Sequence, residues 1–275
     1  MISDGPSPMH DPTPGEPTIA VVIAARDAVP FIGATLDSLV RQSRPPHQVI
    51  VFDDGSTDDT ASLAASYRDH LPNLTVIGNR QSIGISAARN RANAAATADY
   101  IAVLDADDLF GPDTIRQYSA YLRKNPDTDL LYADTRVFHA DTDSAKGKRR
   151  SYPIFRSPRA AIRRTLGSPL VPFKHSSMVY RRAAMEELGG YDESLPIKVD
   201  VDLFLRFNAN HMKVAKLNEA TSFHRKHDRQ VSTDRLRGIR IYQRLLQTYE
   251  PNPWVRGLLS ATRIPSELLK LLLRG

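Results

Sequence analysis

QVIVFDD at residues 48–54 and DYIAVLDADD at residues 99–108 share one construction, an apolar run that stops abruptly in carboxylates. A short, β-branched, uninterrupted apolar run is what a parallel strand buried on both faces requires. TIAVVIAA at 18–25 and LTVIGN at 74–79 have the same character. Helical patterns lie between them. Phe31, Thr35, Leu36, Leu39 and Val40 recur at helical spacing, and ISAARNRANAAA at 85–96 is rich in alanine. Ser56 followed by Asp59 predicts a capping box that opens a helix around Leu63. Strand and helix in alternation predict an α/β fold with a mostly parallel sheet flanked by helices, in which ligands bind beyond the carboxyl ends of the strands.

The acids fall at that edge. Asp53 and Asp54 follow one strand, and Asp105, Asp107 and Asp108 follow another. An oxygen-only cluster suits a hard divalent cation, Mg²⁺ or Mn²⁺, which takes one or two protein carboxylates and completes its shell with water and substrate phosphate. Asp58 and Asp59 read instead as turn formers and helix caps. In the second half, LLYADTRVF and HSSMVYRR predict strands, VDVDLFLRFNA begins a helix, and residues 141–164 read as a mobile basic loop leading into a helix. His175 and His211 read as structural or surface residues. His224 and His227 are too few for a zinc site.

The chain has 275 residues and no cysteine, which removes disulfides, thiolate metal sites and cysteine nucleophiles together. Its formal charge is +6, yet residues 225–275 alone carry eleven Lys/Arg against four Asp/Glu, so the basic character belongs to the tail. Residues 1–17 hold five prolines and almost nothing apolar, as expected of a disordered leader rather than a secretory signal. No stretch approaches a membrane span. These features predict a cytoplasmic protein, with the inner face of the cytoplasmic membrane as a place for the tail to work.

VVIAARDAVPFIGATLDSLVRQS, VIVFDDGSTDDT and NRQSIGISAARNRANAAATADYIAVLDADD, in that order, resemble the N-terminal half of a family 2 glycosyltransferase. GGYDE at 189–193, VDVDLFLR at 199–206 and HRKH followed by Ser232 continue the match, so it spans about residues 18–232. The resemblance implies a GT-A, Rossmann-like fold and inverting transfer from a nucleotide-sugar donor, with Mn²⁺ or Mg²⁺ as cofactor. It assigns the donor to Ala24, Arg26, Asp53, Asp54, Gly84, Arg89 and Asp105, with Asp54 at the base. Asp105 and Asp107 become the metal-binding Asp-x-Asp, Asp107 the direct ligand, and His227 reaches the metal or the diphosphate. Asp200 becomes the general base, with Asp202 as the alternative, and Gly190, Tyr191 and Asp192 face the acceptor. Where the family commonly has Pro-x-Tyr-Asn, this chain has Ala24, Ala25, Arg26 and Asp27, so Arg26 replaces an aromatic platform for the base.

The expected organisation is a leader (1–17), a nucleotide-sugar-binding half (18–125), an acceptor-binding half (126–232) and a basic amphipathic helical extension (233–275). In the extension, Ile239, Tyr242, Leu245, Leu246 and Tyr249 mark one helix face, and Pro265 interrupts a second apolar-basic stretch. Three readings of it stand: packing on the body, contact with an anionic membrane, or homodimerisation. Expected partners are the donor and a glycan, lipid-linked or small-molecule acceptor, without specific nucleic-acid binding. A sugar-nucleotide nucleotidyltransferase would need a glycine-rich loop that AARDAVP lacks. A non-catalytic module binding membrane or nucleic acid through the tail leaves the acids at the strand ends unexplained.

Overall fold

The computed structural model describes residues 15–139, 147–168, 170–227 and 235–272. The apolar runs form strands β1 (Ile19–Ala25), β2 (Gln48–Asp54), β3 (Leu74–Asn79) and β4 (Tyr100–Val103), joined through helices α1 (Val29–Val40), α2 (Thr60–Ala65) and α3 (Ile85–Ala94). These strands pair in parallel in the order β3-β2-β1-β4. Sequence order reverses between β1 and β4, and such a switch point splays the flanking loops and opens a crevice at the carboxyl ends of the strands.

The chain continues through β5 (Leu109–Phe110), α4 (Thr114–Lys124), β6 (Leu130–His139), β7 (Lys148–Arg150), α5 (Pro158–Gly167) and β8 (Met178–Arg181). It ends with α6 (Arg182–Glu187), α7 (Val199–Ala209), β9 (Val214–Lys226), α8 (Arg235–Tyr249) and α9 (Pro253–Leu272). β8 lies antiparallel to β4, and β6, β9 and β5 extend the same sheet, with β7 antiparallel on β6. The expected boundary at 125/126 falls between α4 and β6, and both sides of it contribute to one sheet.

Strand alternation sorts the core into two layers. Ile19, Val21, Ile23, Val49 and Val51 face α1 and α4 through Ile32, Leu36, Leu39, Ile115 and Tyr118. Ala20, Val22, Ile50 and Phe52 face the other side, where Ala88 and Ala92 let α3 approach closely and α7 contributes Leu203, Phe204 and Phe207. Burial of both faces explains why the strands read as continuous apolar runs rather than alternating ones.

The structure corrects several local expectations. Ser56 donates its hydroxyl to Asp53, and Asp58, not a Ser56/Asp59 box, accepts the Thr60 N–H at 3.1 Å. Within the expected loop at 141–164, residues 148–150 pair with β6 and Ser157 caps α5 by accepting the Ala160 N–H; residues 141–146 lie outside the described part. Of the leader, 1–14 lie outside the described residues, while Glu16 ion-pairs with Arg44 and Arg123. The expected closing Ser232 also lies outside them. Helix α9 runs through Pro265, since a proline removes one N–H without forbidding helical φ. In α8, Ile241 joins Tyr242, Leu245 and Leu246 in the core, so the extension packs on the body. Among the described residues, no helix is long and apolar enough to cross a membrane.

Candidate active site

The loop after β4 carries Asp105, Asp107 and Asp108, which offer one oxygen each within 4.8 Å of one another. Their surroundings differ sharply. Asp105 accepts from Arg89 Nη2 at 2.7 Å and lies 3.4 Å from His175 Nδ1 and 3.6 Å from Lys174 Nζ. Burial alone would raise its pKa, but the His175 hydrogen bond and the charges of Arg89 and Lys174 hold it well below the usual carboxylate range. Asp108 is fully buried and accepts from Ser176 Oγ at 2.5 Å and the Arg225 N–H at 3.0 Å; His224 Nδ1 stands at 3.1 Å and Lys174 Nζ at 3.5 Å. Against the effect of burial, the charge of Lys174 and the His224 hydrogen bond hold its pKa below the usual carboxylate value.

Asp107 goes the other way. Burial, then the charges of Asp108 and Asp105, push its pKa up, against opposing pulls from Lys174 and a 2.9 Å contact to His227 Nε2. Its side chain is the most open of the three at 28%. The least compensated carboxylate of an all-oxygen cluster, with an imidazole beside it, is a fitting place for a hard divalent cation. His227 itself is held by a tilted ring contact with Phe31, centroids 4.3 Å apart.

The remaining expected site residues divide into open and engaged ones. Arg26 projects from the end of β1 with 57% of its side chain exposed, and Ala24 is half-buried behind it. Asp53 is tied to Ser56. Asp54, expected at the base, has both oxygens engaged by the loop before α3: Ser82 Oγ at 2.7 Å, the Ile83 N–H at 2.7 Å and the Gly84 N–H at 3.1 Å. It clamps the turn in which Gly84, at φ +91°, delivers the chain into α3. Arg89, expected at the diphosphate, is buried and donates to Asp105, with its guanidinium carbon 5.7 Å from the centre of the Tyr191 ring.

The acceptor-side segment is more enclosed than expected. Gly190, at φ +78°, backs onto α3 so closely that a Cβ would stand 2.6 Å from Asn90 Oδ1. Tyr191 is only 2% exposed; its N–H donates to Asn90, and its hydroxyl lies 2.9 Å from His175 Nε2. Its ring therefore supports His175 rather than standing open to a sugar. Asp192 accepts from the Ser194 N–H at 2.9 Å and pairs with Arg244 at 3.4 Å.

The two candidate bases on α7 separate clearly. Asp202 is buried and saturated by Arg206 Nε and the Tyr249 hydroxyl, each at 2.8 Å. Asp200, one helical step away and half-buried, has no hydrogen-bond partner among the described residues, and its charge acts on Lys174 and His175. Asp202 thus fastens α8 to α7. Tyr249→Phe should lower stability by about 1.5–3 kcal/mol, the range for one hydrogen bond to a charged group, with turnover retained. Urea unfolding alongside a transfer assay checks this, and unchanged stability would remove the fastening role.

Sequence reading missed Lys174 and Ser176, and it read His175 as structural or surface, where the structure places it buried between Asp105 and Tyr191. The signal was a polar Lys-His-Ser-Ser stretch immediately before the buried strand β8. His224 sits near the end of β9 and His227 just after it, and they address Asp108 and Asp107 separately.

Residues 20–189 match the model of glycosyl transferase family 2. The chain belongs to that family and is a glycosyltransferase. It is 28% identical over 207 residues to the putative glycosyltransferase EpsE of Bacillus subtilis, covering 74% of this chain and 71% of that protein. It is 31% identical over 210 residues to the succinoglycan biosynthesis protein ExoU of Rhizobium meliloti, covering 72% and 59%. Among solved structures, residues 1–349 of Staphylococcus aureus TarS in complex with UDP-GlcNAc match with TM-score 0.66 at 20% identity, covering 89% of this chain and 71% of that one. The mannosyltransferase PcManGT of Pyrobaculum calidifontis, in complex with GDP-Man and Mn²⁺, matches with TM-score 0.65 at 20% identity, covering 90% and 69%. These likenesses place the fold among GT-A glycosyltransferases.

Proposed function

We propose that the protein transfers a sugar from a UDP-linked donor to an acceptor hydroxyl by a single inverting displacement, in glycan or cell-envelope polysaccharide synthesis. The observation that carries this reading is a pair of carboxylates on different elements, Asp107 after β4, the most open acid of its cluster, and Asp200 on α7, half-buried with no hydrogen-bond partner among the described residues. Asp107, with His227, would hold a divalent cation, Mn²⁺ or Mg²⁺. When bound, the cation supplies charge neutralisation for the leaving diphosphate. Arg26, at the open lip of β1, would lie along the nucleotide. Asp200 takes the proton of the attacking hydroxyl; having no hydrogen-bond partner among the described residues, its carboxylate is available to do so. One base and one direct attack invert the anomeric centre. The name of ExoU, a succinoglycan biosynthesis protein, and the complexes of TarS with UDP-GlcNAc and PcManGT with Mn²⁺ support the biosynthetic, donor and metal parts of this reading.

A ligand that binds only the folded state raises the unfolding midpoint by mass action. UDP with Mn²⁺ should therefore raise the melting temperature, and UDP with EDTA should raise it much less. Absence of any rise with UDP, GDP or other nucleoside diphosphates in Mn²⁺ or Mg²⁺ would overturn the proposal.

A further inference from the structure

The Asp105/Asp107/Asp108 cluster is not an empty cage of three carboxylates. Lys174 enters it from the segment before β8, with Nζ 3.6 Å from Asp105 Oδ2 and 3.5 Å from Asp108 Oδ2. Arg89 adds a second cation on Asp105 at 2.7 Å. Asp108 is further occupied by Ser176, His224 and the Arg225 N–H. Three carboxylates against Lys174 and Arg89 leave one net negative charge, which the Arg225 guanidinium offsets from the Asp107 and Asp108 side, and Asp107 is the most open of the three. A dication bound there alone would leave the site positive. A dication arriving with a diphosphate would not.

We propose that Lys174 is a built-in counter-cation that reserves Asp105 and Asp108 for the protein's own interactions and leaves Asp107 as the single protein carboxylate for the metal. The free protein then holds a divalent cation weakly, and the cation is retained only together with a nucleoside diphosphate. Burial disfavours a charged lysine, but the carboxylates around Lys174 raise its pKa and keep the ammonium charged throughout the physiological range. This inference rests on the donor and metal reading above and adds to it a residue that positions charge without contacting the reacting atoms.

The test is Mn²⁺ binding followed by electron paramagnetic resonance, without turnover. Removing a unit charge a few ångströms from the metal position should tighten Mn²⁺ binding to nucleotide-free Lys174→Gln and Lys174→Met by about 10-fold or more, as Coulomb's law at the effective dielectric of a protein surface requires. Lys174→Arg should remain near wild type. Tightening separates this role from a merely structural one, because a damaged site binds metal less well. Unchanged or weaker Mn²⁺ binding in both folded neutral variants overturns the inference. Wild-type protein gives an independent measurement: saturating UDP should raise its Mn²⁺ affinity by about 10-fold or more, the same charge argument in reverse. Equal affinity with and without UDP overturns the inference while leaving the donor reading intact, whereas binding of neither Mn²⁺ nor UDP removes the donor reading itself.

Discussion

Asp200→Asn is expected to lower turnover by about 10²- to 10⁴-fold, the usual share of a positioned general base, while UDP and Mn²⁺ still raise the melting temperature as in the wild type. The asparagine keeps the size and most of the polarity of the carboxylate but accepts no proton. The separation of effects is the informative part. Asp200 stands on α7 and makes no hydrogen bond among the described residues, so its replacement leaves the direct partners of the strand-end carboxylates in place. Asp202→Asn should behave in the opposite way. Its carboxylate is consumed by Arg206 and Tyr249, and weakening that buried network loosens the attachment of α8 before it touches chemistry. A single-turnover assay on both variants, with unfolding midpoints, decides between them. Near wild-type turnover in Asp200→Asn would sink the assignment of Asp200.

The fold was largely legible because the signals that define it are local. QVIVFDD and DYIAVLDADD are buried strands by composition, and their trailing acids mark the sheet edge wherever the rest of the chain goes. The family resemblance rests on the same segments. What the sequence could not show is which acid is neutralised by what, since that depends on side chains brought together from far along the chain. Asp54 carries the same carboxylate as Asp107, yet three donors from residues 82–84 close around one and the charges of two neighbouring acids bear on the other. Asp200 and Asp202 sit two residues apart, and the Arg206 ion pair together with the docking of α8 through Tyr249 tells them apart. Lys174 and His175 are ordinary polar residues in sequence and become central because β8 inserts next to β4. His224 lies within β9 and His227 follows its last residue, and the two imidazoles meet different carboxylates, Asp108 and Asp107.

Asp107→Asn is the second large effect, and its contrast with Asp108→Asn makes it diagnostic. Asp107 is the most exposed acid of the cluster, its pKa is raised by burial and by Asp108 and Asp105, and its replacement relieves repulsion in the free protein. Stability in the absence of ligand should therefore hold or rise slightly, while the stabilisation by UDP that depends on Mn²⁺ should vanish and transfer should fall by about 10³-fold, the loss that follows removal of a group stabilising transition-state charge. Asp108 is fully buried and joined to Ser176, His224, the Arg225 N–H and Lys174, so neutralising it leaves Lys174 and His224 short of their shared acceptor. Asp108→Asn should cost about 3–5 kcal/mol of stability, as breaking a buried ionic network does, and lose ligand response only through that damage. Thermal unfolding of the two variants with and without UDP and Mn²⁺ separates the cases. If Asp107→Asn kept the full Mn²⁺-dependent shift, the metal would have to be held elsewhere, and the division of labour among the three acids would be wrong.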